Sequence, residues 1–199
     1  AAIEVIKKIT GVPELNIVGY CIGGTIVACA LAYLIAHKDH SVKSVTYLTT
    51  MLDFQNFGFF TDFISEDTVK KTNKLMKKQG YLDGYFLHQL FNFLRPNDLV
   101  WPYYVQNYLL GGSPGKNDLL YWNSDYTNIP EKVMSYCLNN FVINNQLVKP
   151  NHLKIKDTPI DLHSINIPAY FFSTIRDHLT PWKSTYAGLQ LHSGKTTFI

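Results

Sequence analysis

The stretch that decides the fold is LNIVGYCIGGTIVACALAYLIAH, residues 15–37. Its first residues, Leu15, Ile17 and Val18, predict a short apolar strand, and the apolar run after residue 25 predicts a helix. Between them lies G-x-C-x-G-G, which places Cys21 in the middle of a sharp turn. Glycines in such a turn remove the Cβ atoms that would obstruct it. The pattern therefore predicts a cysteine at the tip of a strand and at the N-terminus of a helix.

This turn has the form of the nucleophile elbow of the α/β-hydrolase fold, with cysteine in place of serine. Gly19 and Gly23, two residues before and two after the cysteine, are expected to let the strand reverse into the helix. The helix dipole should lower the pKa of the Cys21 thiol, and the Ile22 amide should point to where an oxyanion would form. The alternative is a buried cysteine in an ordinary strand-to-helix turn.

The order of elements around the turn predicts a parallel α/β sheet. The helix at 26–36 is apolar on every face, so we expect it to be buried between the sheet and an outer layer, and it is too short to span a bilayer. A strand is predicted at 42–48, and later segments predict a strand at 169–174, a helix at 181–189 and a further strand from 195.

Composition limits the classes of function. The 199 residues are 46% hydrophobic and carry a net charge of +3 without a basic block, so no nucleic-acid binding is expected. The cysteines Cys21, Cys29 and Cys137 are odd in number and show no paired spacing, which favours a reducing compartment over a disulfide framework. No metal site, cofactor or secretion signal is predicted.

The aromatic-rich middle of the chain predicts an insertion between sheet strands. We divide the chain into a core at 1–53, a helical cap at 54–162 and the continued core at 163–199. Helices are expected at 66–79, 85–94, 102–110 and 130–139. The insertion either covers an active site or forms a second aromatic core, and the two are compatible.

A nucleophile of this type works with an acid and a histidine that follow in that chain order. Asp177, in the loop after a late strand, is the candidate acid, although an aspartate there could instead cap the turn before the helix at Pro181. Asp53 is the second candidate. His178 is adjacent to Asp177 and cannot easily be oriented by it while facing Cys21, so the base is expected after the final strand, beyond residue 199.

The chain resembles the class I polyhydroxyalkanoate synthases over almost its whole length. The matching segments are 19–32 (GYCIGGTIVACALA), 45–54 (VTYLTTMLDF), 93–101 (FLRPNDLVW), 107–111 (NYLLG), 118–130 (DLLYWNSDYTNIP) and 160–181. The resemblance implies that Cys21 is the acylated thiol, Asp177 the acid and His178 a neighbour of the acid. It also implies that the catalytic histidine lies in a Gly-rich segment shortly after residue 199.

The family resemblance implies transfer of (R)-3-hydroxyacyl groups, typically from (R)-3-hydroxybutyryl-CoA, to a growing polyester. It further implies a cytoplasmic protein at polyester granules and a homodimer formed through the cap. No cofactor, nucleic acid or transmembrane segment is expected. Two other functions stay open. One is a thioesterase or depolymerase of the same fold, and the other is a non-catalytic homologue serving as a granule-associated or dimerisation subunit.

Overall fold

The computed structural model describes residues 1–62, 64–94, 96–113 and 118–199. The chain forms two compact units, the first from residues 1–69 with 137–199 and the second from residues 70–136. The predicted insertion at 54–162 therefore contains the second unit together with flanking segments that belong to the first. Positions 63, 95 and 114–117 of that insertion lie outside the described residues.

The strands are β1 (Leu15–Tyr20), β2 (Val42–Leu48), β3 (Tyr81–Leu82), β4 (Ile129–Pro130), β5 (Leu153–Ile155), β6 (Thr158–Ile160), β7 (Ala169–Phe172) and β8 (Thr196–Phe198). The α-helices are α1 (Ala2–Thr10), α2 (Ile22–Ala36), α3 (Glu66–Gln79), α4 (Gly84–Leu94), α5 (Pro96–Leu99), α6 (Trp101–Tyr104), α7 (Asp118–Ser124), α8 (Glu131–Tyr136) and α9 (Trp182–Leu189). Short 3₁₀ segments lie at Gly58–Asp62, Gln146–Val148 and Leu162–Ser164.

The first unit is built on a parallel sheet with the strand order β1-β2-β7-β8, as the sequence predicts. The carboxyl ends of its first three strands are aligned, since Tyr20 pairs with Leu48 and Leu48 pairs with Phe172. The loops after these strands therefore leave the sheet along one edge, which is where ligands bind in open α/β sheets.

The core of the first unit combines side chains of this sheet and of α2 with others from residues 141–165. Tyr47 of β2 and Phe171 of β7 are fully buried, with ring centroids 4.7 Å apart. The helix at 26–36, which is expected to be buried between the sheet and an outer layer, is buried only in part, because Ile26 is 50% exposed. Its buried side chains include Ala28, Leu31 and Ala32, and α2 contacts β1 of the sheet on the one hand and β6 on the other.

Several predicted helices end differently in the structure. The helix predicted at 102–110 is the single turn α6 followed by a π-helical turn at Val105–Leu109. The helix predicted at 130–139 is α8 followed by a π-helical turn at Cys137–Ile143. The antiparallel pair β5 and β6 was not predicted from the sequence. Its turn has positive φ at Lys156 and Asp157 and contains no glycine, the residue that adopts positive φ most readily.

The second unit carries a small antiparallel pair, β3 with β4. Helix α4 begins just after β3, and α8 begins directly after β4. Gly84 at the start of α4 donates its N–H to Oδ1 of Asn128 at 2.9 Å, just before β4. Large aromatic side chains of this unit are exposed, including Trp101, Tyr108 and Trp122. Across the described part of the chain, no helix combines the length and the apolar character needed to cross a bilayer.

Candidate active site

The turn around Cys21 joins β1 to α2 with no intervening loop. β1 ends at Tyr20, α2 begins at Ile22, and Cys21 between them has φ 51° and ψ −129°. A positive φ is uncommon for a residue with a side chain and costs on the order of 1–3 kcal/mol. Backbone strain of this kind persists only where neighbouring contacts hold it, and it is concentrated at functional sites.

Two glycines allow this turn through close backbone approach. A Cβ on Gly19 would lie 2.5 Å from the Cα atom of Gly24, and a Cβ on Gly24 would overlap the side chain of Thr50. By contrast, nothing lies within 4 Å of a Cβ built on Gly23. The prediction that Gly23 is needed for the turn is therefore corrected. Gly24 has that role, because the start of α2 packs directly on Thr50.

Backbone hydrogen bonds fix Cys21 at the edge of the sheet. Its N–H donates to the carbonyl of Leu48 at 2.9 Å, and its own carbonyl accepts from the N–H of Gly24 at 3.0 Å. Thr49, the residue directly after β2, has φ 42°, and its N–H donates to the carbonyl of Phe172 at 2.8 Å. A positive φ is an outlier for a β-branched residue. The residues that follow two neighbouring strands, Cys21 and Thr49, thus both have positive φ. The dipeptide Thr49-Thr50 gives no sequence signal for this.

The pKa of the Cys21 thiol is raised above its ordinary value. Burial is the largest cause, because a buried thiolate loses its hydration. The backbone N–H of Ile22, which is hydrogen-bonded to the sulfur, lowers the pKa, and the negative charge of Asp177 raises it further. The expected lowering of this pKa is therefore wrong, since burial outweighs the helix terminus. A raised thiol pKa leaves less of the nucleophilic thiolate at a given pH.

Asp177 lies in the loop after β7, on the same edge of the sheet as Cys21. Its Oδ1 accepts hydrogen bonds from the N–H groups of Leu179 and Thr180, both at 2.9 Å. Its Oδ2 accepts a hydrogen bond from Oγ1 of Thr180 at 2.7 Å. These bonds are those of a turn-capping aspartate, which was the alternative interpretation. The carboxylate is also within electrostatic reach of the Cys21 thiol, so capping and a role in the site are compatible.

Asp53, the second candidate acid, holds the loop after β2. Its Oδ1 accepts hydrogen bonds from Nδ2 of Asn145 at 2.8 Å and from the N–H of Gln55 at 2.9 Å. Oδ1 of Asn145 also accepts a hydrogen bond from the N–H of Phe54 at 3.0 Å. The carboxylate whose charge raises the pKa of Cys21 is that of Asp177. Of the two candidate acids, Asp177 is thus the one whose charge acts on the thiol.

Two histidines of the first unit lie in the segments after β7. His178 is half-buried in the loop of Asp177, and its backbone carbonyl packs against Gly58. Its role as a neighbour of the acid stays a prediction. His192, which sequence reasoning did not single out, is 8% exposed and has Nε2 3.1 Å from the hydroxyl of Tyr47. Burial lowers the pKa of His192 to about 4, so this side chain is a neutral part of the core.

The other two thiols, Cys29 and Cys137, also have raised pKa values. Burial, with a smaller contribution from nearby Cys137, raises the pKa of Cys29 to about 12, and burial also raises that of Cys137. Among the residues that the structure describes, no group of three or more His, Cys, Asp or Glu side chains is placed to hold a metal ion.

A strained cysteine turn at the carboxyl edge of a parallel sheet, with an aspartate in the loop after β7, defines an α/β-hydrolase type of site. The model of the alpha/beta hydrolase fold family matches residues 1–197, and the chain belongs to that family. The monoacylglycerol lipase of Paleococcus ferrophilus superposes with a TM-score of 0.51 at 12% identity, covering 100% of this chain and 63% of the lipase. At that identity the likeness supports the fold alone.

Sequence similarity points to a particular group of proteins. Over 203 aligned residues the chain is 41% identical to the poly(3-hydroxyalkanoate) polymerase subunit PhaC of Cupriavidus necator, and over 198 it is 38% identical to that of Rhizobium meliloti. All of this chain is covered, against 34% and 32% of those proteins. The chain therefore spans about a third of the length of these relatives.

Proposed function

We propose that this chain is the catalytic core segment of a polyester synthase. In this proposal the protein transfers (R)-3-hydroxyacyl groups from CoA to a growing polyhydroxyalkanoate chain through a thioester on Cys21. The observation that carries the proposal is the strained Cys21 at the strand-to-helix turn, in a chain that is 41% identical over its full length to a polyester polymerase subunit.

The proposed chemistry has two transfer steps. The sulfur of Cys21 attacks the thioester carbonyl of the hydroxyacyl-CoA, and the C–S bond to CoA breaks, so that CoA leaves with its sulfur and the acyl group is on Cys21. The 3-hydroxyl of another unit then attacks this acyl-enzyme, which forms the ester bond and returns the thiol. A thioester intermediate keeps the acyl group activated, because one thioester replaces another at nearly constant free energy.

Proton transfer follows from the state of the thiol. Because burial raises the pKa of Cys21, a base must remove its proton as the sulfur attacks. We assign that base to the histidine that the family resemblance places after the last strand, with Asp177 as the acid that orients it. The N–H of Ile22 is the proposed donor to the oxyanion, since it lies against the sulfur at the start of α2.

The proposed partners follow from the same resemblance. They are (R)-3-hydroxybutyryl-CoA and related 3-hydroxyacyl-CoA substrates, the polyester chain, and a granule surface in the cytoplasm. We further propose that the insertion at 54–162 is a cap, that it excludes water from the acyl-enzyme, and that it forms a homodimer. Its exposed rings support a contact role. Trp101 meets Tyr104 edge to face with centroids 5.7 Å apart, and Tyr104 stacks on Tyr108 at 5.4 Å.

The test uses the complete natural gene product with (R)-3-hydroxybutyryl-CoA. We expect CoA release, polymer formation and an acyl adduct on the peptide that contains Cys21, all of which are lost in Cys21→Ala. Cys137→Ala is the matched control, because it removes another half-buried thiol and should retain the polymer-forming activity. Release of free hydroxy acid without polymer would indicate a thioesterase or depolymerase. Retained CoA release in Cys21→Ala would refute the cysteine mechanism.

A further inference from the structure

The segment that follows β2 packs directly against the loop that carries Asp177. Gly58, in the 3₁₀ segment Gly58–Asp62, has φ 55°. A Cβ on Gly58 would lie 2.5 Å from the carbonyl oxygen of His178 and 3.0 Å from that of Leu179. It would also lie 3.0 Å from Cδ of Pro181. Two of these three contacts are with backbone atoms, so no side-chain rotation could relieve them.

The same segment is held from the side of α9. Ser184, which is buried in the first turn of α9, donates its hydroxyl to the carbonyl of Asn56 at 2.7 Å. Oδ1 of Asn56 in turn accepts from the N–H of Gly58 at 3.2 Å. The turn at 56–58 is therefore fixed against α9 on one side, while Gly58 touches the loop of Asp177 on the other.

The contacts of Gly58 involve the peptide groups that orient the carboxylate of Asp177. The N–H of Leu179, which donates to Oδ1, belongs to the same peptide unit as the carbonyl of His178. The N–H of Thr180, which also donates to Oδ1, belongs to the peptide unit of the Leu179 carbonyl. A group that pushed on these two carbonyls would move both donors, and the carboxylate would move with them.

We propose that Gly58 is a positioning residue for Asp177, because its lack of a side chain lets the turn at 56–58 seat against the carbonyls of His178 and Leu179. The inference rests on the proposed function, in which Asp177 is the acid of the site. Gly58 lies in the segment between β2 and α3. In this proposal, that segment sets the position of the Asp177 carboxylate.

Gly58→Ala is the test, and the chain offers a matched control. Gly11 also has a positive φ, 71°, but nothing lies within 4 Å of a Cβ built on it. Gly11→Ala therefore has the same kind of energetic cost, that of a side chain at positive φ, without a contact on the loop that carries Asp177. In the complete gene product we expect Gly58→Ala to lower kcat for CoA release at least severalfold with little change in KM, while Gly11→Ala keeps the wild-type kcat.

The pH profile of Cys21 alkylation reports the position of Asp177 independently of turnover. Iodoacetamide labelling, resolved by peptide mass spectrometry, gives the thiol pKa of Cys21 in each variant. Asp177→Asn should lower this pKa, because the negative charge of Asp177 raises it in the native protein. We expect Gly58→Ala to shift the profile in the same direction, and Gly58→Ala with Asp177→Asn to match Asp177→Asn alone. A merely destabilising substitution would not produce this non-additivity.

The outcomes separate the two proposals. If Asp177→Asn has wild-type turnover, the assignment of the acid in the proposed function is wrong. If Asp177→Asn is inactive but Gly58→Ala matches Gly11→Ala in turnover and in alkylation profile, the positioning role of Gly58 is wrong and the acid stands. Should Gly58→Ala not fold, Ser184→Ala removes the hydroxyl that holds Asn56 and should give a smaller shift of the same sign. An unshifted profile in Ser184→Ala would then overturn the inference.

Discussion

His192 makes the stability of the first unit depend on pH in a predictable window. The ordinary pKa of 6.5 falls to about 4 in the folded protein, because the ring is buried between the aromatic side chains of Tyr47 and Phe171. The unfolded chain therefore binds a proton between these two values while the folded chain does not. The resulting stability is fully present above pH 6.5 and is lost progressively as the pH falls toward 4.

The magnitude follows from the gap between the two pKa values. One pKa unit corresponds to about 1.4 kcal/mol, so the fall from 6.5 to about 4 is worth about 3 kcal/mol at full protonation of the unfolded chain. That is a large part of the 5–15 kcal/mol or so by which domains are stable. His192→Gln removes the titrating group and keeps an amide that can hydrogen-bond the hydroxyl of Tyr47.

The assay is urea unfolding at a series of pH values between 7 and about 4, with pulse hydrogen exchange read on peptides from β2 and β7. These peptides report the first unit by itself, which matters because the chain has two compact units. We expect wild type to lose about 3 kcal/mol relative to His192→Gln across the window. The exposed His152→Gln is the control and should run parallel to wild type. If wild type and His192→Gln change in parallel with pH, the reasoning about burial is refuted.

Two further predictions concern the supports of the site. Gly24→Ala should destabilise the first unit by about 1–3 kcal/mol and slow alkylation of Cys21, because the new methyl group overlaps Thr50. Gly23→Ala, with open space around its Cβ, is the control in urea unfolding. Equal effects of the two substitutions would contradict the role of Gly24 in the turn. Thr180→Val should lower kcat for CoA release severalfold and the free energy of unfolding by about 1–2 kcal/mol, because Asp177 loses a hydroxyl donor. Thr180→Ser keeps the donor and should retain activity. A wild-type kcat in Thr180→Val would show that this hydrogen bond does not contribute to turnover.

Much of the fold could be predicted from local sequence patterns. The parallel sheet was predicted correctly from the strand, helix, strand order around Cys21, because alternating apolar segments and short connections leave few other arrangements. Helix α3 was predicted with its observed bounds, since the segment combines acidic residues in its first turn with lysines in its last. The π-helical turn at Cys137–Ile143 was missed, because helical periodicity alone does not distinguish it from an α-helix.

The sequence by itself determined that a cysteine stands in a sharp strand-to-helix turn, because that geometry depends on residues only a few positions apart. The tertiary structure alone decided that Gly24 meets Thr50, that burial raises the pKa of Cys21, and that the charge reaching the thiol is that of Asp177. Each of these depends on atoms from segments far apart in the chain. Desolvation and close packing are set by the assembled neighbours of a group, and no local pattern contains them.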